Sequence, residues 1–207
     1  MRRDLASSAL AIVVLTLALG VAYPLVVTGI AQVAWPNKAD GSQIERGGAV
    51  VGSRLIAQSF VIDTGRKDAD GNAITRPDPR YFQPRPSQTD YNPSATFFSN
   101  RGPNQASARF FYRDRLAAYL ALERPYGPGL TAARVPVDAV TTSASGVDPH
   151  ISQANARIQA RRVAAVRHLP AARVAQLIDE HTDGRFLGLL GEPGVNVTTL
   201  NLALDRT

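Results

Sequence analysis

Between Leu5 and Asn37 the chain carries no charged residue, and Ala9 to Ile30 is dominated by Ala, Val, Leu and Ile. At a rise of about 1.5 Å per residue, about 20 such residues cross a hydrocarbon core about 30 Å thick. The pattern therefore predicts a transmembrane helix over residues 9–30, preceded by a short stub, residues 1–8. A cleaved secretory signal is the competing reading, because Gly20-Val21-Ala22 places small residues after an apolar run. The apolar character continues past Pro24 through Val26, Val27 and Ile30, beyond the roughly 7 to 15 residues of a signal's apolar region, and favours the span. Pro24 is tolerated near the end of a span, where the hydrogen bond it lacks is made good locally.

From residue 31 onward the pattern is that of a soluble chain. Ala49 to Phe60 mixes a short apolar run with Gly52 and Ser53 and predicts a strand, a turn, and a second strand or short helix. Asp63 to Arg76, with Gly65, Gly71 and Asn72 among charges, reads as an inserted surface loop. Pro77, Pro79, Pro84, Pro86, Pro93 and Pro103 forbid a continuous helix over residues 76–105 and favour extended backbone. Tyr81, Phe82, Tyr91, Phe97 and Phe98 either pin that loop to the domain or face a partner, and pinning is the expected use.

Helical spacing returns at Ala108 to Leu122, with Leu116, Tyr119 and Leu120 on one face and Pro125 and Gly127 ending it. Pro136 to Val140 reads as one short turn. Ser152 is placed as the N-cap of a helix running to about His168, with Ile151, Ala154, Ile158, Ala165 and Leu169 as its apolar stripe. Ala171 to His181 predicts another helix, with Val174, Leu177 and Ile178 inward and Gly184 closing it. Val195 and Val197, then Leu200, Leu202 and Leu204 after a phase shift, predict a strand with a bulge at Thr198-Thr199. The class is α+β: one N-terminal transmembrane helix followed by a single soluble mixed α+β domain, residues 31–207. Its strands are expected at both ends and its helices in the second half.

The formal charge of +6 is carried by arginine, because Lys38 and Lys67 are the only lysines. The arginines are scattered from Arg46 to Arg206 without interleaved stacking aromatics, so solvated faces are preferred to nucleic-acid binding. Cysteine is absent, which removes disulfides and thiolate metal sites. Arg2, Arg3 and the amino group precede the span while Lys38 and Arg46 follow it, a small bias toward a cytoplasmic N-terminus with the soluble domain outside. Trp35 stands where an interfacial anchor or an ordinary packed tryptophan is equally at home.

The segment Thr142 to Asn155, TSASGVDPHISQAN, concentrates the candidate chemistry. In the structural reading Gly146 supplies a turn, Asp148 and Pro149 lead into a helix, and Ser152 caps it. In the functional reading Ser143, Ser145, Gly146, Asp148 and His150 contact an anion, a nucleotide or a partner loop. A triad of Ser143 or Ser145 with His150 and Asp148 is disfavoured, because members so close in sequence seldom converge, and no GxSxG elbow is present. No catalytic residue is assigned. His150, His168 and His181 are too dispersed for a metal site, and His181 reads as a surface or capping histidine. Arg157 and Arg161, one turn apart, read as a solvated face before an anion site.

The same segment, taken with others in order, resembles the C subunit of the bacterial Kdp potassium-transporting P-type ATPase, the KdpC family. The similar positions are Thr28-Gly29 and Gln32, Gly41-Ser42, and Val51-Gly52-Ser53 with Leu55, Ile56, Gln58 and Phe60. They continue through Tyr81-Phe82, Arg85-Pro86-Ser87, Tyr91-Asn92-Pro93, the helix Gln159 to Arg167, Gly191, Val195-Asn196-Val197 and Leu200-Asn201-Leu202. One departure stands out: Thr96-Phe97-Phe98-Ser99-Asn100 replaces the family's Ser-Gly-Gly-Ser-Asn turn, which puts any role of that turn's backbone in doubt.

The resemblance implies an accessory subunit of an ATP-driven potassium uptake complex in the bacterial inner membrane, non-catalytic by itself and needed for assembly and coupling. Its implied partners are a potassium-binding channel-like subunit, a P-type ATPase subunit and the lipid bilayer, with Tyr81, Phe82 and Arg85 expected on a docking loop. The family has also been assigned a role as catalytic chaperone that raises the ATPase subunit's affinity for ATP, which would make ATP a ligand. That role conflicts with a soluble domain outside, where ATP is absent. Neither lysine fits nucleotide chemistry: Lys38 precedes Ala39, Lys67 lies in Arg66-Lys67-Asp68, and no GxxxxGK[ST] occurs. A membrane-anchored serine hydrolase using Ser145 and His150, and a stand-alone envelope binding protein, are the readings of other classes.

Overall fold

The computed structural model describes residues 2–95, 100–102 and 104–207. It divides into two compact units, Met1–Val51 and Gly52–Thr207.

The first unit is dominated by a helix over Arg2–Ala34, 33 residues with a mean hydropathy of 2.5 in its most apolar stretch, long and apolar enough to cross a membrane. It extends past both ends of the expected 9–30. It consists of α1 (Arg2–Leu15), a π-helical segment (Thr16–Ala22) and α2 (Tyr23–Ala34). The wide π turn stands immediately before Pro24, near the start of α2, where a regular helix would lose an N–H and clash with the preceding turn. Trp35 leaves helical geometry, and α3 (Pro36–Ala39) follows as a single turn. Strands β1 (Gln43–Arg46) and β2 (Ala49–Ser53) form a two-stranded sheet.

In the second unit, the stretch read as an inserted loop is an antiparallel hairpin of β3 (Val61–Lys67) and β4 (Ala73–Pro77), with a bulge between Asp63 and Arg66. Only its tip is a loop. There Asp68 Oδ1 accepts from the N–H groups of Asp70 (3.0 Å) and Asn72 (2.8 Å), and these bonds hold the carboxyl below the usual aspartate range. The β-branched residues Val61, Ile62, Thr64, Ile74 and Thr75 favour strand, while the conspicuous Asp-Gly-Asn cluster specifies just the turn.

Among the described residues of 78–105 there is neither helix nor strand, as the prolines dictate. The loop is pinned by its aromatics: Phe82 is fully buried, the Tyr81 hydroxyl donates to Asp205 Oδ1 at 2.9 Å, and the Tyr91 hydroxyl donates to Arg85 O at 2.9 Å. Phe97 and Phe98 lie outside the described residues.

Helix α4 (Ala106–Glu123) follows, then a short 3-10 turn over Ala132–Arg134 and the expected single turn at Val137–Ala139. Strand β5 (His150–Ile151) leads into α5 (Gln153–Arg167), whose N-cap Ser152 accepts the Asn155 N–H at 3.1 Å. Helix α6 (Ala171–Glu180) buries Val174, Leu177 and Ile178 as expected. It ends with His181 as C-cap, so Gly184 does not close it; β6 (Thr182–Asp183) intervenes. Strand β7 (Gly194–Asn196) is the centre of a small antiparallel sheet ordered β5-β7-β6.

The C-terminal alternation does not continue as a strand. Asn196 accepts the Thr199 N–H at 3.1 Å and starts α7 (Val197–Leu204), which buries Val197, Leu200, Asn201 and Leu204. These positions fit a helical face, and the side-chain cap of Asn196 outweighs the β-branched run around it.

The core joins α5, α6, α7 and β7 around Phe82, with Ile151, Val163, Leu177, Val195 and Leu200 among its members. Each such side chain contributes about 1.5–3 kcal/mol by leaving water. The predicted apolar stripe of α5 is corrected: Ala154 and Ala165 are exposed, and Ile158 and Leu169 only half-buried. The buried face carries Asn155, Ala156, Gln159, Arg162 and Val163.

Candidate functional site

The polar residues on the buried face of α5 read the backbone of the Pro-rich loop. Arg162 is fully buried and extends along it, donating through Nη1 to Pro79 O (2.6 Å) and Tyr81 O (2.8 Å). Its Nε donates to Glu123 Oε1 at 2.9 Å and its Nη2 to Gln159 Oε1 at 3.0 Å. Burial pushes the Glu123 carboxyl up, against the pull of Arg162. Gln159 pairs with Gln83 as one strand would with another: Oε1 accepts the Gln83 N–H at 2.7 Å and Nε2 donates to Gln83 O at 3.0 Å. Asn155 extends the chain of bonds, accepting from Tyr119 (2.8 Å) and Gln159 (3.0 Å) and donating to Asp138 (3.0 Å). A loop without secondary structure must satisfy its backbone elsewhere, and these side chains do so.

The segment after Thr141 folds onto the same loop. Gly146 takes φ +75°, and its carbonyl accepts the Ser87 hydroxyl at 2.7 Å; a Cβ there would stand 2.9 Å from Thr89 Oγ1. Ser143 Oγ accepts the Gly146 N–H (3.0 Å) and Ser145 Oγ accepts the Val147 N–H (3.2 Å), so both hydroxyls shape the turn. Val147 O accepts the Ala57 N–H at 2.8 Å. Arg85 donates to Thr142 O at 3.0 Å, and its Nη1 lies 3.6 Å from Asp148 Oδ2.

His150 is held between two carboxylates. Its Nδ1 lies 3.3 Å from Asp148 Oδ1 and its Nε2 lies 2.9 Å from Asp183 Oδ2, across β7. The bond to Asp148 raises the imidazole's pKa above the usual 6.5; burial opposes the shift and Asp183 adds to it. Burial pushes the Asp148 carboxyl up, but the bonds from His150 and the charge of Arg85 outweigh it and hold the group below its usual 3.8. Gly194 stands opposite, where an added Cβ would lie 3.1 Å from that of His150. His181 caps α6 and its Nδ1 lies 3.0 Å from Thr199 Oγ1; burial holds its pKa below 6.5.

Ser143, Ser145, Gly146, Asp148 and His150 are thus brought into one folded turn, and Arg85 joins them. Tyr81 and Phe82 belong instead to the part of the Pro-rich loop held by Arg162 and Asn201, a buried polar spine beside which Arg167 stacks 4.6 Å from the Tyr81 ring centroid. The arrangement supplies turn geometry and a charge-linked strand junction. Neither serine bonds to His150, and both imidazole nitrogens are occupied by carboxylates. Among the described residues no group of His, Asp and Glu has the arrangement of a metal site. Asn155, Gln159, Arg162, Asn201 and Asp183 are the residues that sequence reasoning missed; the spacing of Asn155, Gln159 and Arg162 along one helix face was the available signal.

The sequence model of KdpC, described as the c chain of the K+-transporting ATPase, matches residues 5–206. The chain belongs to the KdpC family. A KdpC subunit of the potassium-transporting ATPase of Rhodospirillum rubrum is 48% identical over 209 residues, spanning 100% of this chain and 97% of its own. The KdpC subunit of Cereibacter sphaeroides is 47% identical over 191 residues, covering 92% and 90% of the two chains. That of Streptomyces coelicolor is 43% identical, covering 94% and 88%. The KdpC match runs through the apolar helix, the Pro-rich loop and the folded turn alike, so the spine and the His150 junction lie within the KdpC homology.

Proposed function

We propose that the protein is a non-catalytic accessory subunit of an ATP-driven potassium uptake complex of the bacterial inner membrane. It acts in assembly and coupling, with a channel-like potassium-binding subunit and a P-type ATPase subunit as partners. The observation that carries this reading is the use of Ser143, Ser145 and His150: each polar atom of the suspected triad is engaged in holding a turn or a strand junction. A nucleophile needs its base within reach, and a base needs a free lone pair. An imidazole between two carboxylates favours its protonated form and is a poor base.

In this reading α1 and α2 anchor the chain in the bilayer with the N-terminus in the cytoplasm, following the charge bias around the span. The soluble domain then works outside, and the turn around His150 and Arg85 is the surface offered to a partner loop. Direct contact with ATP is not part of this role, which is why assembly and coupling are preferred to nucleotide chaperoning.

The chain has no cysteine, so one engineered thiol reports its side of the membrane. Ala165→Cys places it on the exposed face of α5. Labelling by a membrane-impermeant maleimide in intact spheroplasts, in a variant that still co-purifies with its partner subunits, is the expected result. Protection until lysis would reverse the topology and revive the nucleotide role.

A further inference from the structure

On the side of α5 away from the spine, a recess of about 480 Å³ opens between the C-terminal end of α4, the loop after it and the helix itself. Its charged lining consists of Glu123, Arg134, Arg157 and Arg161. Glu123 is already neutralised by Arg162 at 2.9 Å, with both side chains buried. The three arginines are exposed, and among the described residues none has a carboxylate at ion-pair distance. The recess therefore presents three guanidinium groups without a carboxylate in direct contact, Asp179 being the acidic residue that shares an adjoining recess with Arg157 and Arg161.

The walls are set before any ligand arrives. The Glu123–Arg162 pair ties α4 to α5, and Gly127 N–H donates to Glu123 O at 3.1 Å. Arg124 Nε donates to Leu130 O at 3.1 Å and fixes the loop. Arg161 packs over Gly127, its Nη1 at ordinary contact distance, 3.5 Å, from where a Cβ would stand. The remaining lining includes Ala154, Leu130 and Ile158, which gives the recess an apolar side. The volume falls within the roughly 300–1,000 Å³ of small-molecule sites.

Guanidinium forks match the oxygens of phosphate two bonds at a time, and three of them around one recess can share a single phosphate. We propose that this recess binds an organophosphate, its phosphate oxygens taking N–H groups of Arg134, Arg157 and Arg161 and its carbon skeleton lying on Leu130, Ala154 and Ile158. The chemistry is shared by a soluble phosphate ester and by an anionic phospholipid headgroup.

Two arms separate these sources, both with the full chain. Glycerol 3-phosphate and inorganic phosphate are titrated calorimetrically into detergent-solubilised protein. In parallel, amide hydrogen exchange over residues 124–134 and 153–161 is compared between nanodiscs of phosphatidylcholine alone and nanodiscs containing phosphatidylglycerol. Tighter binding of glycerol 3-phosphate than of phosphate assigns a soluble ester. Slowed exchange in phosphatidylglycerol discs alone assigns the headgroup. In either case the double variant R157Q/R161Q must weaken the response at least tenfold, and R157K/R161K must restore part of it, with an unchanged thermal midpoint. No response in either arm, or one that the glutamine pair leaves intact, overturns the proposal.

Discussion

Asn201 holds the backbone of Phe82 from both sides: its Oδ1 accepts the Phe82 N–H at 2.9 Å and its Nδ2 donates to Phe82 O at 2.8 Å. The two residues are 119 positions apart, so this one amide fastens the Pro-rich loop to the last helix. Removing it leaves a buried donor and a buried acceptor unpaired, at about 1–3 kcal/mol each. Asn201→Leu is expected to lower unfolding stability by about 2–5 kcal/mol, and Asn201→Asp by at least as much, since a buried carboxylate oxygen would then face the Phe82 carbonyl that now accepts the Nδ2 hydrogen. Urea denaturation of the full chain in detergent, followed by circular dichroism, measures both; a loss under about 0.5 kcal/mol would contradict the role given to Asn201.

The buried pair of Arg162 and Glu123 behaves differently when broken and when replaced. Arg162→Met alone strands a carboxylate in the interior and also frees two loop carbonyls, for an expected loss of about 3–5 kcal/mol. Combining it with Glu123→Leu is expected to recover part of that loss, because the stranded charge is gone. A double-mutant cycle reads the coupling directly; simple additivity would show that the pair is not a unit.

At the folded turn, Gly146 combines a positive φ with a close neighbour. Gly146→Ala is expected to cost about 1–3 kcal/mol from backbone strain. Gly184→Ala, where an added Cβ meets nothing within 4 Å, serves as the control and is expected to shift the thermal midpoint little.

The helix α6 was legible because Val174, Leu177 and Ile178 repeat at helical spacing with nothing competing. Helix α5 was legible in extent and cap but not in face: of its inward polar residues, Gln159 and Arg162 serve loop carbonyls some eighty positions away and Asn155 bonds to Tyr119 and Asp138, and local periodicity carries no record of distant partners. The β3–β4 hairpin was hidden by its own tip, whose Asp, Gly and Asn dominate a short window. At the C-terminus, Val195-Asn196-Val197 reads equally as strand or as strand followed by a cap, and only the bond from Thr199 to Asn196 decides. The cluster around Gly146 was visible as a turn, while its link to Asp183 depended on β7 bringing β5 and β6 together.

The His150 junction sets a pH window. Its folded pKa lies above 6.5, so its contribution is complete below 6.5 and is lost as pH rises through the folded value. Asp148, held below 3.8, contributes above 3.8 and loses that contribution as pH falls through its folded value. His181 is shifted down and acts in the opposite sense to His150, weakening the fold as pH falls below 6.5. The difference in thermal midpoint between the natural chain and His150→Gln, measured from pH 5 to 9, isolates the junction. It is expected to shrink toward the alkaline end; a difference that is flat with pH would remove the imidazolium from the account.

The most direct test is potassium-stimulated ATP hydrolysis by the purified complex carrying the double variant S143A/S145A. The account predicts turnover within about threefold of the natural complex at equal assembly, since each serine contributes only a turn hydrogen bond of about 0.5–1.5 kcal/mol to stability. A fall of more than about a thousandfold with assembly intact, toward the roughly millionfold scale of losing a catalytic nucleophile, would contradict it.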